Sequence, residues 1–237
     1  MITTQQVLNE LKKSGSESVK KIFLKHGAKE PFYGVKVEDI KKVQKTIKEN
    51  QQQIALELFA SGVGEAQYLA GLMADGAKMN KKELQAWAEK AEWPMISEYS
   101  VAWVAAENKD AWELAMQWIN SPKPNVASSG WATLGSIMAT WPDEKLTIAS
   151  LKKLLVRVQK EIHTAPNRVR YCMNSFVIAT GSYVKELSPV AIETGKKIGV
   201  VMVDTGGTAC KVPFAPDYIK KVAGKGYIGR KKKTAKC

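Results

Sequence analysis

Apolar residues recur at helical spacing along almost the whole chain, and that periodicity limits the fold more than any other feature. Val19, Ile22 and Phe23 fall on one face of a segment opened by Ser16 and closed by Gly27. Val37-Glu38-Asp39 opens another, in which Ile40, Val43 and Ile47 share a face and Lys41, Lys42, Lys45 and Lys48 fill the remainder. Further amphipathic stretches follow at about 51–60, 65–75, 80–91, 95–106, 108–120, 123–140, 143–162, 165–182 and 186–199. The separators are short: Gly62, Gly76, Asn80, Pro94, Ser121-Pro122, Pro142, Pro166 and Pro189. No alternating strand pairs with hairpin turns interrupt them. The run Gly199-Val200-Val201-Met202-Val203 is β-branched, but with no partner strand it reads as a buried helix end.

About eleven or twelve helices on short loops, arriving in pairs every roughly 35 to 40 residues, have the length and spacing of HEAT-type units. The predicted fold is therefore all-α: a right-handed α–α superhelix of the HEAT or armadillo type with about six helix pairs. Helical repeats cover residues 1–222 as one array, because no Gly/Ser-rich or charged linker interrupts the core. Such stacks curve, and the concave face usually carries the binding surface.

Residues 223–237 read as a basic, flexible tail. From Ala215 onward the chain carries eight basic side chains (Lys220, Lys221, Lys225, Arg230, Lys231, Lys232, Lys233 and Lys236) against one acid, Asp217. That excess supplies more than half of the formal net charge of +13. A localised cationic field attracts polyanions, and nucleic acid is the commonest soluble one. A frayed, merely solubilising end is the alternative. No apolar run approaches the roughly 18 to 20 residues that cross a bilayer, and the N-terminus lacks the apolar core of a secretory signal. Cys172, Cys210 and Cys237 are odd in number and widely spaced, which suits neither a disulfide framework nor a Cys-x-x-Cys pair. A reduced, cytoplasmic protein is the expectation, with no membrane partner.

Catalytic signals are sparse. His26 and His163 stand far apart and outside any metal-binding pattern, so they read as helix-end or surface residues and no metal or cofactor is expected. Asp204-Thr205-Gly206-Gly207-Thr208 follows no strand of a βαβ unit. It is either an irregular interhelical turn or, if it opens a helix, a loop whose N–H groups can meet a phosphate. The seven tryptophans (Trp87, Trp93, Trp103, Trp112, Trp118, Trp131 and Trp141) cluster mid-chain and read as core. Trp93 precedes Pro94 at a helix start, where an indole can instead face a cleft and stack on a nucleobase.

Three stretches carry a family resemblance: Gly27-Ala28-Lys29-Glu30-Pro31-Phe32-Tyr33-Gly34-Val35, Arg170-Tyr171-Cys172-Met173-Asn174-Ser175-Phe176-Val177-Ile178, and Val203-Asp204-Thr205-Gly206-Gly207-Thr208-Ala209-Cys210-Lys211-Val212-Pro213. Together they resemble the bacterial DNA alkylation-repair proteins of the AlkD type, built from HEAT-like helical pairs, across essentially the whole chain. The likeness is to a branch distinct from the well-studied glycosylases. It implies a concave, basic cleft that grips the DNA backbone. In active members it implies excision of purines alkylated at ring nitrogens, without a deep base-flipping pocket. A cationic alkylpurine is already a good leaving group. The enzyme's part is a carboxylate that stabilises the developing oxocarbenium sugar and orients water, with aromatic rings adding cation–π attraction.

The family motif is a Trp with an Asp four residues later. In this chain it matches Trp93-Pro94-Met95-Ile96-Ser97, so Ser97 stands where the carboxylate belongs. The expected Arg falls at Ser128 or Ser129, and a third, aromatic position falls near Ile178. Glu98 is adjacent to Ser97, but one residue along an α-helix is about 100° round, so it should face elsewhere. Three readings follow. One is a DNA-binding solenoid with a degenerate glycosylase site, whose phosphate contacts to duplex DNA come from Lys211, Lys220 and Lys221 on ordered backbone and from Lys225, Arg230, Lys231, Lys232 and Lys233. The second is an active alkylpurine glycosylase using another carboxylate, Glu98 or Asp204. The third is a non-enzymatic protein-interaction scaffold. A monomer is expected in each.

Overall fold

The computed structural model describes residues 2–236. Among them are thirteen α-helices and no strand. They are α1 Thr4–Lys13, α2 Glu17–Lys25, α3 Val37–Thr46, α4 Gln51–Ala60, α5 Gly64–Met73 and α6 Lys81–Lys90. A π-helical turn, Ile96–Val101, then runs directly into α7 Ala102–Ala106. After it come α8 Ala111–Trp118, α9 Pro124–Thr140, α10 Ile148–Glu161, α11 Asn167–Tyr183, α12 Ser188–Ile198 and α13 Ala215–Gly224.

Local chemistry sets many of these limits. Thr3 and Gln6 form a reciprocal capping box at α1, and Asn80 and Glu83 form one at α6. Pro124, Pro189 and Pro216 occupy the first turns of α9, α12 and α13, where a missing N–H costs nothing. Ser16 does precede α2, but its hydroxyl pairs with Ser18 rather than capping the helix. Helices α1 and α13 add to those read from periodicity.

The helices stack in two rows. The inner row runs α3, α5, the π turn with α7, α9, α11 and α13, each packed on the next. The outer helices α4, α6, α8, α10 and α12 back this row, giving the HEAT-like solenoid. Close approach is built into the sequence: a Cβ on Gly71 would lie 2.4 Å from that of Ser100, so glycine lets α5 lie against the π turn. The core is two contiguous clusters that meet at α8 and α9. Five of the seven tryptophans are buried in it, including Trp87 stacked on Phe59 at 3.9 Å and Trp131 edge-on to Phe176. The partly covered Trp141 donates its indole N–H to the Ala106 carbonyl, 3.1 Å away.

Phe32-Tyr33-Gly34-Val35 is held by a group outside its own segment. Glu65 of α5, fully buried, accepts hydrogen bonds from the backbone N–H groups of Tyr33, Gly34 and Val35 at 2.9, 2.6 and 3.0 Å. These charge-assisted bonds satisfy an otherwise costly buried carboxylate and fix the loop that enters α3.

Two segments differ from expectation. Residues 199–214 are not a helix end: Gly199 takes a positive φ of 74°, α12 stops, and the chain continues extended. Val201 turns inward while Val200 and Met202 face solvent, the alternation of an extended segment, and side chains of α11 rather than a partner strand hold it. Arg170 donates to the Met202 carbonyl, and Asn167 exchanges two 2.8 Å bonds with the Asp204 backbone.

The second is the basic C-terminus, which crosses the ends of successive inner helices as a strap instead of trailing free. Gly229 N–H donates to Ser182 O in the last turn of α11, and Lys232 N–H to Ala139 O in the last turn of α9. Lys231 Nζ reaches Met138 O at 2.9 Å and Asp143 at 2.8 Å. Lys236 Nζ bonds Ala74 O, beyond α5, and Glu107, beyond α7. The reason is electrostatic: carbonyls at helix C-termini lack intrahelical donors and carry the negative end of the helix dipole, so lysines are favoured there. Ending the chain after Arg230 removes several of these bonds at about 0.5–1.5 kcal/mol each. Stability should fall by roughly 2–4 kcal/mol in guanidinium denaturation, and an unchanged midpoint would contradict the strap.

Candidate functional site

A pocket of about 560 Å³ opens between α2, the Trp93–Tyr99 segment, α11 and the loop that precedes α13. Its walls are the last turn of α2 (Phe23–Gly27), the Trp93–Tyr99 segment, the first turn of α11 (Asn167, Arg168 and Tyr171) and the loop Asp204–Lys211. Gly206 closes it: a Cβ there would stand 1.7 Å from the Lys25 carbonyl oxygen, and φ is +69°. Only glycine allows the loop this seat on α2. Its glycines open no helix, since irregular backbone runs on to Phe214 before α13 begins, and the Gly206 N–H donates to the Asp204 carboxylate at 2.8 Å. It is thus an irregular turn, the first of its two readings.

Trp93 lines this pocket but is only 5% exposed. Its ring packs against Phe23 and Phe32 at centroid distances of 5.0 and 6.4 Å. Ser97 is 2% exposed, and its hydroxyl turns back toward the carbonyls of Trp93 and Pro94 at 3.4 and 3.5 Å. It presents no charge to the pocket. Ser128 and Ser129 on α9 are buried as well, and the Ser129 hydroxyl donates to Asn125 O. Ile178 lies further along the row, in the wall of a separate groove.

Glu98 faces away from this pocket, as a one-residue step along the helix predicts. It lines the groove between the π turn, α9 and α11, with its side chain 3% exposed. Arg168 of α11 grips it through both oxygens, Nε to Oε1 at 2.7 Å and Nη2 to Oε2 at 2.6 Å. The same guanidinium lies 4.4 Å from the centroid of Tyr171. Burial lifts the Glu98 carboxyl above its ordinary value, and Arg168 offsets part of that lift. Burial likewise raises the neighbouring Cys172 thiol, which removes it as a nucleophile. In this arrangement each Glu98 oxygen accepts a charge-assisted bond from Arg168.

Asp204 is the other candidate carboxylate. It is exposed at the pocket rim and occupied by the Gly206 N–H. Glu92, also in the wall, pairs with Lys29 at 2.9 Å. Among the described residues no three His, Cys, Asp or Glu side chains converge as a metal site requires. His163 bonds the Ile198 carbonyl at 2.8 Å, a helix-end role.

The basic candidates divide. Lys211 is exposed in the pocket wall, and Lys220, Lys221 and Lys225 are exposed on and just beyond α13. Arg230 and Lys233 are also exposed, and Lys232 is exposed above the Tyr183 ring, 5.8 Å from its centroid. Lys231 is spent on Met138 and Asp143. Periodicity did not single out Arg168, since its partner is 70 residues away in sequence. The only local signal is that Arg168, Tyr171 and Cys172 fall at i, i+3 and i+4 on one helix face. Arg168→Ala should destabilise the protein by roughly 3 kcal/mol, the usual cost of stranding a buried charge. Arg168→Met with Glu98→Leu should recover most of it in denaturant titrations.

A family model described as DNA alkylation repair enzyme matches residues 5–198. Uncharacterized protein Lin0241 of Listeria innocua and uncharacterized protein Lmo0209 of Listeria monocytogenes are each 31% identical to this chain over 226 residues, covering 93% of it and 97% of the relative. A solved structure described as "a new family of proteins related to the HEAT-like repeat DNA glycosylases with affinity for branched DNA structures" superposes over all of both chains, with a TM-score of 0.89 and 31% identity. The family model spans most of the chain and the whole-chain superposition is consistent with it: the chain belongs to the DNA alkylation repair family.

Proposed function

We propose that the protein is a DNA-binding member of this family that holds branched and duplex DNA by phosphate contacts and does not excise alkylated bases. The observation that carries the second half is that Ser97, at the family's carboxylate position, is buried against its own helix, while the neighbouring Glu98 is bound through both oxygens by Arg168. An oxocarbenium ion needs a fixed negative charge close to the sugar. Ser97 supplies none, and the charge of Glu98 is matched by Arg168. The affinity for branched DNA ascribed to the solved relative supports the first half.

The contacts are assigned to Lys211, Lys220, Lys221, Lys225, Arg230, Lys232 and Lys233, all exposed. Lys231 is left out because its charge is matched by Asp143. The active form is read as a monomer in the cytoplasm, where the chromosome of a bacterium lies.

Phosphate contacts release counterions, so log K should fall linearly with log salt, by about 0.9 per contact on B-form DNA. Changing Lys220, Lys221 and Lys225 to Gln should reduce the slope by roughly 2 to 3 in fluorescence anisotropy titrations on a four-way junction. An unchanged slope would remove these lysines from the interface. Flat salt dependence of the wild type would instead favour the protein-scaffold reading.

A further inference from the structure

Beyond the pocket, a second groove of about 590 Å³ lies between α11, α13 and the strap. Tyr171, Tyr183, Tyr218 and Tyr227 line it together with Arg230 and Lys232, and its walls hold no Asp or Glu. Tyr218 and Tyr227 are 47% and 49% exposed, high for aromatic rings that gain by burial. Two cations already lie over its rings: Arg230 over Tyr227 at 5.3 Å and Lys232 over Tyr183 at 5.8 Å. The groove is continuous with the face of the inner row, because Tyr171, Tyr183, Tyr218 and Lys232 also line the cleft that contains Glu98. The Ser182 hydroxyl, buried in the wall, has no hydrogen-bond partner.

Exposed aromatic faces beside cations, with no acid among them, match the chemistry of an unpaired nucleotide. A base has a π-face for tyrosine regardless of its identity, and its phosphate takes the cation. The volume falls within the roughly 300–1,000 Å³ typical of small-ligand sites. A purely apolar ligand would leave Arg230 and Lys232 uncompensated, and an acidic peptide offers no reason for four rings.

We propose that this tyrosine groove takes an unpaired nucleotide of the bound DNA by stacking on Tyr218 and Tyr227, with Arg230 and Lys232 at the adjoining phosphates. The proposal rests on the DNA-binding reading above. The strap explains why the groove is built as it is: Gly229 and Lys232 are fixed by their backbone bonds to Ser182 and Ala139, which holds the cations at the groove edge.

The test compares a fully paired four-way junction with the same junction carrying two unpaired thymines at the branch point. Stacking is worth roughly 1–3 kcal/mol per base, so the wild type should bind the second junction about tenfold more tightly. The Tyr218→Ala/Tyr227→Ala double variant should bind both junctions equally, and the corresponding Phe variant should keep the preference. A 2-aminopurine at the unpaired position should be quenched by the wild type and the Phe variant only. Equal wild-type affinities, or a preference that survives the Ala variant, would overturn the groove proposal while leaving DNA binding intact. Binding to neither junction would remove the DNA-binding reading and the groove with it. Both tyrosines are half exposed, so loss of folding is not a competing outcome.

Discussion

Two short hydrogen bonds from Arg168 to Glu98 decide what the inner face can do. They join the π turn to the first turn of α11, two inner-row elements that both pack on α9, and so brace the middle of the array. They also consume the carboxylate nearest the family's catalytic position. A bidentate guanidinium–carboxylate pair is stable when both groups leave water together, and costly once either is removed. The same interaction therefore braces the groove and holds its acid in an ion pair. Tyr171, under the guanidinium, completes the arrangement.

The strap is the second constraint. A solenoid contacts only neighbouring repeats, so its curvature is set pair by pair and nothing local prevents it from opening. Here one segment bonds Ser182, Ala139, Met138, Ala74 and Glu107, at or just beyond the ends of α11, α9, α5 and α7. On the other side, the Gly206 loop seats on α2. Both connections link repeats far apart in sequence, which rigidifies the groove between them. Part of the positive charge near the C-terminus thus serves the fold, and the remainder is exposed to solvent.

Much of this was legible in the sequence. Helix periods and Pro/Gly separators gave the all-α array, since those signals act over a few residues. Trp131 and Trp118 could be assigned to the core from size and spacing alone. The buried Glu65, the Glu98–Arg168 pair and the strap could not be read, because each joins residues 30 or more apart. The direction of Glu98 was legible from helical geometry, but its partner was not. One residue along the chain from Ser97 it turns away from the Trp93 pocket and lines the groove beside α11 instead. Residues 199–203 misled because their β-branched composition carries no information about partners. Gly199 and the polar side chains of α11 decide that segment.

The central claim is that this protein holds DNA without cutting a glycosidic bond. Its most direct test is release of 3-methyladenine and 7-methylguanine from methylated DNA, measured with protein in excess and compared with DNA alone. The account predicts no release above the spontaneous rate, at salt concentrations where the DNA is fully bound. Release that is faster than background, and lost in Asp204→Asn or Glu98→Gln, would contradict it and identify the carboxylate responsible.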